Sequence, residues 1–289
     1  MRRLVSVVRT TCAKSKRLAQ RLIGRKNVPL GPYFVILGVK RSGSNLLEST
    51  LAQFPDLVCY GEVFNKGHPK DPNDPRLLGW TKGQRNADPL GFLEELITAT
   101  PEQIPGFRLL FDAHLPAVFE RVISDHNCTR IVLRRNPLES YISLKLAKAT
   151  RQWLVKGSAE LKSAKVRFDA CEFEIYRERV EAFYTKICRQ MQAAGTTAGY
   201  IDYTALKTPK TIYGLARMIG AKSFPARLRE LIVRQNPGPI EAKLENPADF
   251  TAWLQTHECE TLSPDPDVEV GEPNQMVGVQ RVIAEQKPN

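Results

Sequence analysis

The sequence predicts a three-layer α/β fold, with a central parallel sheet covered by helices on both faces. Three observations predict it. Short apolar runs of strand length alternate along the chain with stretches of helical periodicity. The first such run, Tyr33-Phe-Val-Ile-Leu37, leads through a glycine loop straight into a helical pattern, which is the first half of a parallel α/β unit. With 289 residues, 42% of them hydrophobic, the chain can also bury the core that a two-sided sheet demands.

Each element can be read in order. After Tyr33–Leu37 comes Gly38-Val-Lys-Arg-Ser-Gly-Ser-Asn45, then a helix through Leu46–Phe54. Val58-Cys-Tyr-Gly-Glu-Val-Phe64 reads as a strand running into a turn. Residues 61–90, rich in Pro, Gly, Asn and Asp and containing Trp80, read as a long loop or lid. Leu90–Ala99 is a helix capped by Asp88. Strands follow at Phe107–Phe111, Arg130–Arg134 and Gly199–Tyr203, with helices at Ala117–Ser124, Pro137–Lys148, Phe168–Ala194 (ended by Gly195) and Lys210–Ile219.

Charge is unevenly placed. The chain carries 42 Lys plus Arg against 31 Asp plus Glu, a net +11, but 11 of the basic residues lie in residues 1–47, where there is no acid before Glu48. The remaining 31 basic and 31 acidic residues cancel, so the body is formally neutral and nucleic acid is not an expected partner. Residues 1–30 form a basic arm in which Leu4, Val8, Leu18 and Leu22 fall near helical spacing. A solvated tail, an interfacial helix through residues 1–28 on an anionic membrane surface, and an Arg-rich transit segment all fit that pattern. Residues 259–289 form an acidic, Pro-rich tail. No run reaches the eighteen apolar residues of a membrane span, and no secretory apolar region is evident. The six cysteines, Cys12, Cys59, Cys128, Cys171, Cys188 and Cys259, show no metal-ligand spacing. They read as reduced and mostly buried thiols of a cytoplasmic chain, with peripheral membrane contact through the arm as an alternative.

Two clusters carry chemistry. Gly38-x-x-x-x-Gly43 has the spacing of a loop whose backbone N–H groups cradle an anion at a helix N-terminus. A Walker loop would continue with Lys and then Ser or Thr, whereas this chain has Ser44 and Asn45, and its cations come earlier, at Lys40 and Arg41. The loop therefore suits a phosphate-like anion better than metal-dependent γ-phosphoryl transfer. In the second cluster, Arg134 and Arg135 close a strand, Asn136 suits an N-cap and Pro137 a first helical position. Ser140 and Ser143 then share a helix face. This makes a second anion site at the carboxyl edge of the same sheet.

An ordered pair of anion sites without the Walker lysine resembles the sulfotransferase family that uses 3′-phosphoadenosine 5′-phosphosulfate (PAPS). Arg41-Ser42-Gly43-Ser44-Asn45 is similar to that family's phosphosulfate loop, with Asn in place of the commoner Thr. Arg135 and Ser143 have the interval of its 3′-phosphate pair. Tyr200–Leu206 is a looser match to its closing strand. The resemblance covers roughly residues 33–220, and Gly61-Glu62-Val63-Phe64 looks closest to the bacterial lipopolysaccharide- and nodulation-factor-type branch.

The resemblance implies a P-loop-NTPase-like sulfotransferase domain over residues 31–258. It implies PAPS as donor, with adenosine 3′,5′-bisphosphate (PAP) as product and no metal, and an acceptor hydroxyl on a carbohydrate or glycolipid. Lys40, Arg41, Ser42, Gly43, Ser44 and Asn45 would hold the phosphosulfate, and Arg135 and Ser143 the 3′-phosphate. Arg234, in a late basic loop, would contact the nucleotide. Arg41 would also stabilise charge on the leaving side. Glu62 is the expected general base and His114, in Phe111-Asp-Ala-His-Leu-Pro116, its acceptor-side partner, with Trp80 and residues 61–90 forming the acceptor mouth. The Asp112-Ala113 before His114 departs from the Lys-Thr of the cytosolic branch. Competing readings are a small-molecule kinase on the same sheet, and a membrane-surface binding protein with a degenerate nucleotide site.

Overall fold

The computed structural model describes residues 31–71, 73–154, 161–229, 238–257 and 280–281. Five strands form a parallel sheet in the order β2-β3-β1-β4-β5, where β1 is Tyr33–Gly38, β2 Leu57–Cys59, β3 Ile104–Leu110, β4 Cys128–Arg134 and β5 Ala198–Asp202. A two-residue strand, β6 (Gln280–Arg281), lies antiparallel against β5, so at least this piece of the acidic tail joins the sheet. The three-layer α/β architecture expected from the sequence is the one observed.

Central β1 explains the layering. All six of its residues are buried, because successive side chains enter opposite layers. On one face Phe34 and Ile36 pack with Leu47 and Leu51 of α1 (Ser44–Leu51). Ile212 and Leu215 of the helix Pro209–Ile219 close the same cluster. On the other face Tyr33 stacks on Phe107 at 6.2 Å, and Tyr33 Oη donates to Asp125 Oδ2. Helices there are α3 (Pro89–Thr98), α4 (Pro116–Ser124) and α6 (Ala170–Ala194), with α5 (Pro137–Thr150) packed beside α6. Asp88 caps α3 as expected, accepting from the Gly91 N–H, and Gly195 ends α6 in the left-handed region.

Residues 61–90, expected as a long loop or lid, carry helical structure of their own. They contain α2 (Lys82–Ala87), which a capping box formed by Thr81 and Gln84 starts. Arg85 is fully buried, and its guanidinium donates to the carbonyls of Val63, Lys66 and His68. Trp80 is buried with its ring edge-on to Phe92 at 5.5 Å, so it is a core residue and not part of an acceptor mouth. Composition missed this because one buried guanidinium can satisfy several loop carbonyls at once. The described cysteines are free thiols, but only Cys128 is buried, whereas Cys171 and Cys188 are exposed. The basic arm, Arg234, Cys12 and Cys259 lie outside the described residues. No described helix is long and apolar enough to cross a membrane.

Candidate active site

The parallel strands all end on one edge, and the loops after β1, β3, β4 and β5 gather there. The loop after β1 turns through two residues with positive φ, Arg41 at 71° and Gly43 at 97°. Gly43 has to be glycine for a second reason. A Cβ there would sit 2.4 Å from Cδ2 of Tyr203, whose ring lies against the loop. Gly43 is also the N-cap of α1 and supplies no side-chain cap, so the first N–H groups of that helix depend on other acceptors. Ser42 is fully buried, and its Oγ has no hydrogen-bond partner among the described residues. Uncapped N–H groups beside an orphaned buried hydroxyl suit a bound anion.

The two clusters picked out from the sequence meet here. Arg41 Nε donates to Ser143 Oγ at 3.0 Å, and Arg41 Nη1 donates to the Trp153 carbonyl at 2.6 Å. Arg135 Nη1 donates back to the Arg41 carbonyl at 2.9 Å. Its Nε and Nη2 donate to Glu139 Oε2 at 3.0 and 2.8 Å, and its guanidinium lies 4.1 Å from the centre of the Tyr203 ring. Asn136 caps α5 through the N–H groups of Leu138 and Glu139, as its sequence position implied. Burial, followed by the neighbouring Arg135 charge, lowers the Arg41 pKa. Two guanidiniums held together and partly desolvated favour a bound anion, which would relieve both penalties. Lys40 stands exposed at the tip of the loop, and Asn45 is half-buried in the first turn of α1.

A buried charge cluster connects the loop to Glu62. Arg108, on β3, is only 7% exposed and pairs through Nε with Glu48 Oε2 at 2.7 Å. Its Nη1 donates to Ser44 Oγ at 3.2 Å and lies 3.6 Å from Glu62 Oε1. Glu48 Oε1 accepts from the Gly61 N–H at 2.5 Å, and Glu62 Oε2 accepts from Asn65 Nδ2 at 2.9 Å. Glu62 is thus oriented from two sides, next to the start of α1. Sequence reasoning passed over Arg108, Glu48, Glu139 and Tyr203. For Arg108 a signal was present: a lone charge inside the apolar strand Ile104-Pro-Gly-Phe-Arg-Leu-Leu110. For Glu139 the signal was its i,i+4 spacing from Arg135. Glu48 and Tyr203 reveal their partners only in three dimensions.

His114 follows β3. An isolated antiparallel bridge between Asn65 and His114 joins its loop to that of Glu62. Its Nδ1 is 2.9 Å from the Leu110 carbonyl, which can only accept, so Nδ1 carries the proton and Nε2 the lone pair in the neutral ring. Burial, first among the causes, lowers the His114 pKa and favours that neutral form. The ring stacks on Phe119 at 4.8 Å and lines a cavity of about 450 Å³.

Fold and site together define a parallel α/β protein in which the loops after β1 and β4 bring two arginines together at the sheet edge. No protein-family model matches the chain. It is 24% identical to Nodulation protein H of Rhizobium tropici, over 76% of this chain and 88% of that protein. It is likewise 24% identical to Nodulation protein H of Rhizobium meliloti (strain 1021), over 74% and 87% of the respective chains. A solved sulfotransferase from Alicyclobacillus acidocaldarius covers 78% of this chain and 92% of its own, at 15% identity and a TM-score of 0.42. Over most of its length the chain is thus similar in sequence to Nodulation protein H.

Proposed function

We propose that the protein transfers the sulfuryl group of PAPS to a hydroxyl of a carbohydrate or glycolipid acceptor. The observation that carries the reading is the bond from Arg41 to Ser143, which merges two clusters a hundred residues apart into one cationic site. Supporting it are the orphaned Ser42 hydroxyl, the uncapped start of α1 and the packing of Tyr203 over Gly43. Ser44 and Asn45, where a Walker loop has Lys and Ser or Thr, favour this donor over ATP with Mg²⁺. The glycan-type acceptor is suggested by the Nodulation protein H relatives.

The donor, when bound, supplies the sulfuryl group and a phosphate leaving group. Lys40, Arg41 and the N–H groups of Ser42 to Asn45 would hold the 5′-phosphosulfate, while Arg135 and Ser143 would hold the 3′-phosphate. Arg41 would offset the charge that grows on the leaving side, in a site already organised before reaction. Glu62 would take the acceptor hydroxyl proton, with its carboxylate aimed by Arg108 and Asn65. His114 would contact the acceptor through Nε2.

The test is transfer of radiolabelled sulfur from PAPS to oligosaccharide acceptors in the presence of a chelator. Label should move to acceptor without added metal, and Glu62→Gln should slow turnover at least a hundredfold. Near-normal turnover in Glu62→Gln, with abolition in His114→Ala, would reverse the assignment of the base. Label transfer absent throughout, with phosphoryl transfer from ATP–Mg²⁺ instead, would replace the reading by the kinase.

A further inference from the structure

The cavity beside His114 has a chemistry the reaction itself does not explain. Its lining combines four aromatic rings, Phe111, His114, Phe119 and Phe183, with Lys66, Arg179 and Lys186. The rings touch one another: Phe111 lies 5.0 Å from Phe183, and Phe119 lies 6.2 Å from Phe183. Two of the cations stand over this floor, Arg179 at 5.5 Å from the Phe111 centroid and Lys186 at 5.1 Å from that of Phe119. Against three cations the lining holds one carboxylate, Asp112, which is bound by Arg179. Phe183 and Lys186, together with Arg179, come from one stripe of α6. At about 450 Å³ the cavity is large enough for a sugar ring with substituents.

Its position ties it to the proposed chemistry. The Lys66 N–H donates to the Ala113 carbonyl at 3.2 Å, and Asn65 both bridges to His114 and donates to Glu62. The cavity is therefore joined through Asn65 and Lys66 to the loop that carries the expected base. Flat apolar faces suit the face of a pyranose ring or an aglycone, and the surplus cations suit a carboxylate or phosphate.

We propose that this cavity is the acceptor subsite and that it selects carbohydrates bearing an anionic substituent, read by Lys66, Arg179 and Lys186. The inference rests on the sulfotransferase reading for the word acceptor, but not for the binding itself.

The test is calorimetric titration of the PAP-saturated full chain with p-nitrophenyl β-D-glucuronide and p-nitrophenyl β-D-glucoside, which differ only in the carboxylate. Glucose 6-phosphate serves as the phosphate arm. The glucuronide should bind about tenfold or more tightly than the glucoside, as one charge-assisted contact implies. Arg179→Gln/Lys186→Gln should abolish the preference, and Lys186→Glu should reverse it. Arg179 and Lys186 are both exposed, so folding is not at stake. Glucose 6-phosphate binding with an indifferent response to the uronide would assign the site to phosphorylated sugars, still within the proposal. Equal affinity for all three probes, or an undiminished preference in the double variant, would overturn it. PAP affinity, measured separately, should be the same in wild type and double variant. If PAP failed to bind while the glucuronide preference held, the donor reading would fall and the anion subsite would stand.

Discussion

Replacing Gly43 by alanine tests whether the loop and Tyr203 form one unit, and Gly195 provides an internal control. Both glycines have positive φ, 97° and 63°. At Gly195 nothing lies within 4 Å of an added Cβ, so Gly195→Ala should lose only the backbone preference, about 1–2 kcal/mol. At Gly43 the new Cβ would be 2.4 Å from Tyr203 Cδ2 and 2.8 Å from Cε2. The shortest ordinary contact is 3.4 Å, so the ring must retreat by about 1 Å, the difference between 3.4 and 2.4. That movement disturbs the stack on Arg135 at 4.1 Å, a contact worth about 1–2 kcal/mol when partly desolvated. Gly43→Ala should therefore unfold about 2–8 °C below Gly195→Ala, at roughly 2–4 °C per kcal/mol for a domain of this size. Differential scanning calorimetry measures that gap, and PAP titration measures the site. Gly43→Ala should lose PAP binding and Gly195→Ala should keep it. Equal Tm values with equal PAP affinity would refute the coupling of loop, Tyr203 and Arg135.

Three further outcomes follow from the same geometry. Arg108→Met leaves Glu48 and Glu62 without their buried cation and should destabilise the fold by about 3–5 kcal/mol in urea unfolding, whereas a charged pair of no consequence would give under 1. Glu139→Gln removes the carboxylate that holds Arg135; because Glu139 is 37% exposed the pair is worth at most about 1 kcal/mol, so PAP should bind up to about fivefold more tightly by calorimetry. Because burial lowers the His114 pKa, the neutral ring should persist below its ordinary value of 6.5, and the acid limb of kcat/KM should fall below that pH. For stability the sign is the same: the unfolded chain takes up this proton first as pH falls, so stability declines from about pH 6.5 downward, and His114→Gln should flatten that slope in pH-dependent urea unfolding.

The architecture was legible because its signals are local. Tyr33–Leu37, Arg130–Arg134 and the caps at Asp88, Asn136 and Gly195 each specify their element within a few residues. The glycine loop and the Arg135–Ser143 interval were legible as patterns, but not that Arg41 bonds directly to Ser143, since that depends on β1 and β4 being neighbours. Arg108 left one mark, a lone charge inside an apolar strand, but its pairing with Glu48 was missed because an ion pair between a strand and a helix leaves no spacing in the sequence. The segment 61–90 was misread for a related reason: its order comes from Arg85 and Trp80, buried against elements that composition does not reveal.

The central claim is that Arg41 and Arg135 build one metal-independent donor site. Its most direct test is calorimetric titration of the chain with PAP in the presence of a chelator, beside Arg135→Ala and the same chain with ATP–Mg²⁺. The account predicts saturable, metal-free PAP binding that Arg135→Ala weakens by about tenfold or more, as loss of a charge-assisted phosphate contact implies. Binding of ATP–Mg²⁺ but not PAP, or PAP binding indifferent to Arg135→Ala, would contradict it.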